Sequence, residues 1–342
     1  MVTGQRIGPG TVEVVRALLV VNPNATTTTA AGRDVLAHAL ASELKLEVLE
    51  TCHRGHAAVA AERATQDGVE LVVVHGGDGT VNEVVNGVRA ATGGVPSDPM
   101  DSPALAVVPG GSANVFARAR GVPRDPMEAT SAILAALDQR RSSLVGLGRI
   151  DGVDGPDDGD GPDVRAARGR WFTFNAGLGW DAEVVAEVER AREAGREATP
   201  LRYARTAWLQ YLRQRRRPRS MTVEIPGAAV VDDVRVAFIT TTDVWTYLGP
   251  HAVRTNPGAS SGSGLGLFGV RDLGTGTIAP NLRRMLLRGG DPRGRNVLRQ
   301  DAVPYLGVRS AEPIALQVDG DHLGRCREVR FSAVPDALRV VV

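Results

Sequence analysis

Three times within the first 120 residues an apolar run stops at a polar or glycine-rich turn, and a helical pattern follows. The runs are 17–21, 71–74 and 104–108, and the turns are Asn22-Pro23-Asn24, Gly76-Gly77-Asp78-Gly79-Thr80 and Pro109-Gly110-Gly111. Helical spacing resumes over 32–44, 81–88 and 112–118. A continuous apolar run such as Leu71-Val72-Val73-Val74 suits a strand covered on both faces, and strands alternating with helices build a parallel sheet. With a further strand at 45–50 and helices at 57–65 and 125–137, the pattern predicts an α/β domain with a parallel sheet over residues 1–139.

After residue 140 the texture changes. Strand-like segments at 144–150, 171–175, 221–225, 234–241, 264–270, 313–318 and 338–342 dominate, with helical patterns only at 181–192 and 201–213. This predicts a second, mainly antiparallel β-sandwich domain over 140–342. Two domains also suit a chain of 342 residues, which exceeds what one core usually organises. Residues 151–163 carry six aspartates among glycines and prolines and read as a solvated loop.

The glycine turns have a chemical reading. Glycines let backbone N–H groups approach a polyphosphate, and the helix that follows presents its positive end to the anion. Asp78 is unexpected in a loop that only holds phosphate, because a carboxylate repels it. The second loop, Pro109-Gly110-Gly111-Ser112-Ala113-Asn114, repeats the design, with Ser112 as a simple N-cap in the plainer reading. In a parallel sheet all three turns gather at the carboxyl edge of the strands, where open α/β folds bind ligands. Nucleotide phosphate is therefore the expected ligand. A dinucleotide fingerprint is excluded, since Asn82 stands where its last glycine belongs.

Composition closes other routes. Lys45 is the only lysine among 40 basic residues and starts a strand, which excludes a P-loop, a protein-kinase lysine and Schiff-base catalysis. The net charge of +1 gives no global attraction to nucleic acid. No apolar run approaches the length that crosses a bilayer, and residues 1–10 lack the order of a secretion signal. Cys52 and Cys326 fit a reducing compartment.

Five motifs in order carry a resemblance. They are Val21-Asn22-Pro23-Asn24-Ala25, the Gly76-to-Glu83 loop, the Pro109-to-Arg118 loop, Asn175-Ala176-Gly177-Leu178-Gly179-Trp180-Asp181-Ala182 and Val318-Asp319-Gly320-Asp321. Together the chain resembles the diacylglycerol kinase catalytic-domain family, which includes the bacterial soluble diacylglycerol kinases and the sphingosine and ceramide kinases. The resemblance implies an ATP-dependent lipid kinase that uses Mg²⁺. It implies nucleotide contacts at Asn22, Asn24, Thr51, Gly76, Gly77, Asp78, Gly79, Thr80, Val81, Asn82, Gly111 and Ser112.

In the family the acidic turn reads Asp-Gly-Glu, with the Glu proposed as the base for the acceptor hydroxyl; Asp321 occupies that place here. Asp78 is its expected electrostatic or Mg²⁺-linked partner, the two roles being exchangeable, and Asp319 the expected ligand of the ATP-linked Mg²⁺. Two departures stand out. Val115 follows Asn114 where diacylglycerol kinases often carry Asp, and no Asp or Glu occurs between Asp243 and Asp272, where bacterial relatives hold a structural Mg²⁺. Two rivals stay open: a non-catalytic nucleotide- or lipid-binding regulatory protein of the same fold, and an NAD kinase.

A lipid substrate raises the question of access. Arg202, Arg205, Arg213, Arg215, Arg216, Arg217 and Arg219 gather near Trp208, Tyr211 and Leu212, and Arg283, Arg284 and Arg288 flank Met285, Leu286 and Leu287. Either stretch reads as the solvated face of a core-packed helix or, with arginine beside Trp and Leu, as what an anionic membrane surface attracts. The chain is thus expected in the cytoplasm, with peripheral contact at the inner membrane surface, no nucleic-acid partner, and a homodimer left open.

Overall fold

The structure is a computed structural model that describes residues 15–94, 98–156, 164–193, 200–216, 220–287 and 289–342. The first half alternates β1 (Arg16–Val21), α1 (Ala30–Ala41), β2 (Lys45–Glu50), α2 (His56–Gln66), β3 (Leu71–Gly76), α3 (Asp78–Ala91), β4 (Ala104–Pro109), α4 (Val115–Arg118) and α5 (Pro126–Asp138). The strands run parallel in the order β4-β3-β1-β2. Period-two alternation divides them between two cores. Leu18, Val20, Val72, Val74, Leu105 and Val107 pack with Ala57, Ala61, Val81, Val84 and Val88 of α2 and α3. Leu19, Val21, Val73, Ala106 and Val108 face Leu36, Leu40, Ala129 and Ile133 of α1 and α5. Helices on both faces explain why β3 and β4 are buried along their whole length.

The second half contains β5 (Ser143–Asp154), β6 (Trp171–Phe172), β7 (Asn175–Gly179), α6 (Trp180–Glu193), α7 (Pro200–Arg216), β8 (Met221–Glu224), β9 (Val231–Val234), β10 (Val236–Thr240), β11 (Val244–Leu248), β12 (His251–Arg254), β13 (Leu265–Val270), α8 (Thr275–Leu286), β14 (Val297–Val303), β15 (Tyr305–Val318) and β16 (Asp321–Val340). Its pairings are antiparallel, in the order β14-β13-β10-β7-β15-β16. Its core is built from Phe172, Leu178, Ile239, Leu267, Leu316 and Phe331. The last strand returns to the first sheet: Val340 pairs parallel with Leu105, and the Val341 N–H donates to the Leu105 carbonyl at 2.9 Å.

The α/β half and the antiparallel β-rich half follow the sequence pattern, with local differences. The expected strand at 171–175 is split into β6 and the start of β7, because Thr173, Phe174 and Asn175 turn their N–H groups onto Asp319. The expected solvated loop at 151–163 begins later, since β5 continues through Asp154 in register with Glu328; residues 157–163 lie outside the described residues. The helix expected from 112 starts at Val115. Asn114 takes a left-handed conformation (φ 48°), and its amide bonds the Gly111 N–H and carbonyl.

Candidate active site

The three expected turns do meet at one edge of the first sheet. Asn22, at the end of β1, donates its side-chain amide to Thr80 Oγ1 at 3.1 Å and accepts the Asn24 N–H at 3.0 Å. Gly77 caps α3 with no side-chain hydrogen bond at that helix start, so the first turn keeps its backbone donors for another acceptor. The two glycine loops touch: a Cβ on Gly111 would stand 2.7 Å from the Gly77 Cα, and one on Gly110 3.0 Å from the Gly76 Cα. Gly110 and Gly111 are therefore required by loop-to-loop packing, whereas a Cβ on Gly76 would crowd the Thr80 side chain of its own loop at 2.9 Å. Gly79 is different, because a Cβ there would meet no protein atom within 4 Å.

Asn22, Asn24, Thr51, Gly79 and Thr80 line one cleft of about 370 Å³, together with Cys52, His53, Arg54, Glu83, Glu189 and Asp321. Asp321 thus stands across the cleft from the start of α3. The Asp-Gly turn puts it there. Asp319 (φ 48°) and Gly320 (φ 86°) form the two-residue connection between β15 and β16, with Val318 opposite Asp321. Positive φ at both positions is what an Asp-Gly pair tolerates.

The two aspartates of this turn have separate fates. Asp321 keeps a fifth of its side chain exposed and lies between two guanidinium groups, with Arg170 at 2.6 Å and Arg54 at 3.2 Å. Asp319 is buried, and five protein donors take its oxygens: Asn82 Nδ2, Thr173 N and Thr173 Oγ1 on one, Phe174 N and Asn175 N on the other. Burial raises its pKa while these donors pull the other way. The Mg²⁺ role expected of Asp319 does not fit this geometry, because a hard cation needs carboxylate oxygens that are not already saturated by N–H and O–H donors.

Asn82 also moves from its expected role. It is buried; Nδ2 donates to the Trp171 carbonyl and to Asp319, while Oδ1 accepts from Arg170 and Asn86. It ties α3 to the second half and is not among the residues that line the cleft. Val81 belongs to the core of the first half. Ser112 is exposed, beside the second loop and off the cleft lining.

Asp78 turns away from the cleft as well. Its oxygens accept the Val115 and Phe116 N–H groups at 3.0 and 3.1 Å, locking the first loop to the start of α4. Burial pushes its pKa up to about 6. A carboxyl raised on folding adds stability that is complete below its unfolded value, near 4, and is lost as the pH rises through about 6.

The cleft residues that sequence reasoning did not place in the site are Cys52, His53, Arg54, Glu83 and Glu189, with Arg170 behind Asp321. Glu83 accepts the Gly55 and Ala57 N–H groups at the start of α2, and Glu189 pairs with Arg54 at 3.6 Å. Each sits at a distance in sequence from the group it serves, so no local pattern marks it. In the second half, the turn at 259–267, where the sequence lacks the acidic residue expected of a metal site, is closed by Ser263, whose N–H and hydroxyl both reach the Ser260 carbonyl.

The family model of the Diacylglycerol kinase catalytic domain matches residues 16–145, the stretch that holds both glycine loops. This stretch is thus similar to a diacylglycerol kinase catalytic domain. A relative named "Probable lipid kinase YegS-like" from Xanthomonas oryzae pv. oryzae is 27% identical over 311 residues, covering 87% of this chain and 86% of that one. A "Diacylglycerol kinase" from Staphylococcus aureus is 35% identical over 96 residues, which is 28% of this chain and 27% of that one. Among solved structures, that of a diacylglycerol kinase from Bacillus anthracis str. Sterne superposes with a TM-score of 0.67 at 17% identity, covering 96% of this chain and 97% of that one. The matched stretch supplies the α3 side of the cleft, and Asp321 reaches it from the β-rich half.

Proposed function

We propose that this lipid-kinase family member transfers the γ-phosphate of ATP to a hydroxyl of diacylglycerol or a related lipid alcohol, with Asp321 as the base. The observation that carries this reading is that Asp321 lines the same cleft as Gly79, Thr80, Asn22 and Asn24. Two features fit a triphosphate there: the open space beside Gly79 and the uncapped first turn of α3. The buried Thr28 Oγ1, beside Gly110, also has no protein partner. In the transfer, the acceptor oxygen bonds the γ-phosphorus, the bond from that phosphorus to the β–γ bridging oxygen breaks, ADP leaves, and the hydroxyl proton passes to the Asp321 carboxylate. Bound Mg²⁺, arriving as the ATP chelate, would neutralise phosphate charge. The chain's own part is to hold and orient the reactants, which is most of what phosphoryl transfer asks of a protein. Asp78 contributes by keeping the two loops in contact.

The direct test is to incubate the purified protein with Mg²⁺-ATP and mixed lipids and to identify by mass spectrometry the lipid that gains a phosphate. ATP binding with no phosphorylated lipid would favour a regulatory protein of the same fold, and phosphate appearing on NAD would favour an NAD kinase. A substitution separates phosphate binding from folding. Gly79→Ala, inside α3 and facing open space, leaves the melting temperature unchanged or raises it slightly, since Ala is the better helix former by about 1 kcal/mol. The same change puts a methyl where phosphate would lie and weakens ATP binding by at least about tenfold in calorimetry.

Lipid access is assigned to the face built by α7 and α8. Trp208, Leu209 and Leu212 on α7, and Leu282, Leu286 and Leu287 at α8, are exposed. Arg205, Arg213, Arg215, Arg283 and Arg284 surround them, also exposed. Tyr211 and Met285, on the inner sides of the two helices, cover one apolar cluster around Phe238 and Phe268. The side chains of Arg202 and Arg216 and the whole of Arg217, Arg219 and Arg288 lie outside the described residues. Each basic group near an anionic bilayer contributes about 1 kcal/mol. Cosedimentation with phosphatidylglycerol vesicles is expected, weakened about tenfold by Trp208→Ala with Leu212→Ala, and lost on phosphatidylcholine vesicles.

A further inference from the structure

The loop after β2 carries donor atoms that the phosphoryl-transfer reading does not use. Cys52, His53 and His56 each place one donor atom within 4.8 Å of the other two. Local backbone creates the cluster. Gly55 at φ 84° turns the chain back, so that α2 begins with His56 beside Cys52. His56 Nδ1 lies 3.3 Å from Cys52 Sγ and 3.2 Å from the Cys52 backbone N–H. The two imidazole rings stack with centroids 5.0 Å apart and planes within 17°.

The tautomers are fixed by their neighbours. His53 Nδ1 is 2.9 Å from the Arg54 carbonyl, and a carbonyl only accepts, so Nδ1 carries the proton and Nε2 holds the lone pair. A backbone carbonyl on the far nitrogen is the contact that commonly orients a metal-bound imidazole. His56 Nδ1 accepts the Cys52 backbone N–H, so its proton is on Nε2 and an ion that takes the Nδ1 lone pair displaces that hydrogen bond.

The distances suit a tetrahedral ion. Metal–sulfur and metal–nitrogen bonds of about 2.3 and 2.0 Å hold sulfur and nitrogen about 3.6 Å apart. The Cys52–His56 separation of 3.3 Å is already close to that, and the widest donor separation needs to close by only about 1 Å. Thiolate and imidazole together select a borderline-soft cation over Mg²⁺. The positive charge of neighbouring Arg54 is opposed by Asp321 at 3.2 Å and Glu189 at 3.6 Å. Cys52 is exposed, so an ion can reach it.

We infer that Cys52, His53 and His56 bind a divalent cation of the zinc class at the mouth of the nucleotide cleft. Three protein ligands leave a fourth position for water or for an oxygen of a molecule in the cleft, whose lining includes Cys52 and His53. Binding exchanges the Cys52 thiol proton for the metal, Cys–SH plus M²⁺ giving Cys–S–M⁺ plus H⁺. The site does not rest on the kinase reading, because the three donors are present with or without a nucleotide.

The test is a Co²⁺ titration of the untagged full chain, followed by absorption spectroscopy, with Zn²⁺ as the displacing ion. The expected result is one equivalent bound, with a thiolate-to-cobalt charge-transfer band and the visible absorption of a tetrahedral ion, both abolished by Zn²⁺. Cys52→Ser should remove the band and weaken binding at least about tenfold; His53→Gln and His56→Gln should weaken it while keeping the band. Cys326 cannot stand in, being fully buried. Circular dichroism confirms that each variant is folded. Binding without the thiolate band, no binding at all, or equal affinity in Cys52→Ser would overturn the assignment.

Discussion

Asp321→Asn is expected to lower lipid phosphorylation by about 10²- to 10⁴-fold, the range associated with a positioned general base. The amide cannot take the acceptor proton at neutral pH, yet it is nearly isosteric. The fold should soften but hold. Asp321 keeps only 20% of its side chain exposed and Arg170 26%, so these pairs count for more than surface pairs, yet the Asn carbonyl can still accept from one of the two guanidinium groups. ATP affinity should also change little, because the backbone donors of α3 and the Asn22 turn stand on the opposite wall. Asp321→Glu adds one methylene but keeps a carboxylate able to take the proton, and should retain a measurable fraction of the rate. Steady-state kinetics on the phosphorylated lipid, with thermal melts of the same samples, separate these outcomes. Full turnover in the Asn variant would remove Asp321 from the chemistry.

Asp319→Ala should do the opposite, damaging the fold first. The substitution strands five donors around a buried gap. An unsatisfied buried donor costs about 1–3 kcal/mol, and partial relaxation with water entry brings the total to about 3–5 kcal/mol. For a chain of this length that corresponds to a fall in Tm of roughly 5 °C. The coupling partner is identifiable. Asn82 bridges Asp319 to Arg170, and Arg170 to Asp321. Combining Asn82→Ala with Asp319→Ala should therefore cost less than the sum of the single changes, as groups in one network do. Calorimetry on the double-mutant cycle checks this, and strict additivity would show that the two side chains act independently.

These two residues mark the limit of what local sequence carries. The Asp319-Gly320 turn was legible, because Asp-Gly after an apolar strand has few alternatives. The division of labour between its carboxylates was not. It is set by Thr173, Phe174, Asn175 and Asn82, all about 140 or more residues away. β3 and β4 were legible for the opposite reason, since a strand buried on both faces needs no partner to announce itself. The glycine loops were found, but Gly110 and Gly111 serve loop packing; that distinction lies in contacts with Gly76 and Gly77 of the other loop. α8 escaped notice because arginines and exposed leucines surround the residues it turns inward, Ile278 and Met285. Arg54 and Arg170 were hidden among 39 arginines until the fold brought two of them to Asp321.

The return of β16 to Leu105 also has a bearing on how the molecule is made. During translation the ribosome releases β4 long before Val340 exists, so the outer margin of the parallel sheet waits through most of synthesis with its hydrogen-bonding groups uncovered. Nascent chains halted upstream of that last strand should be the ones that chaperones hold and that clump when none are present.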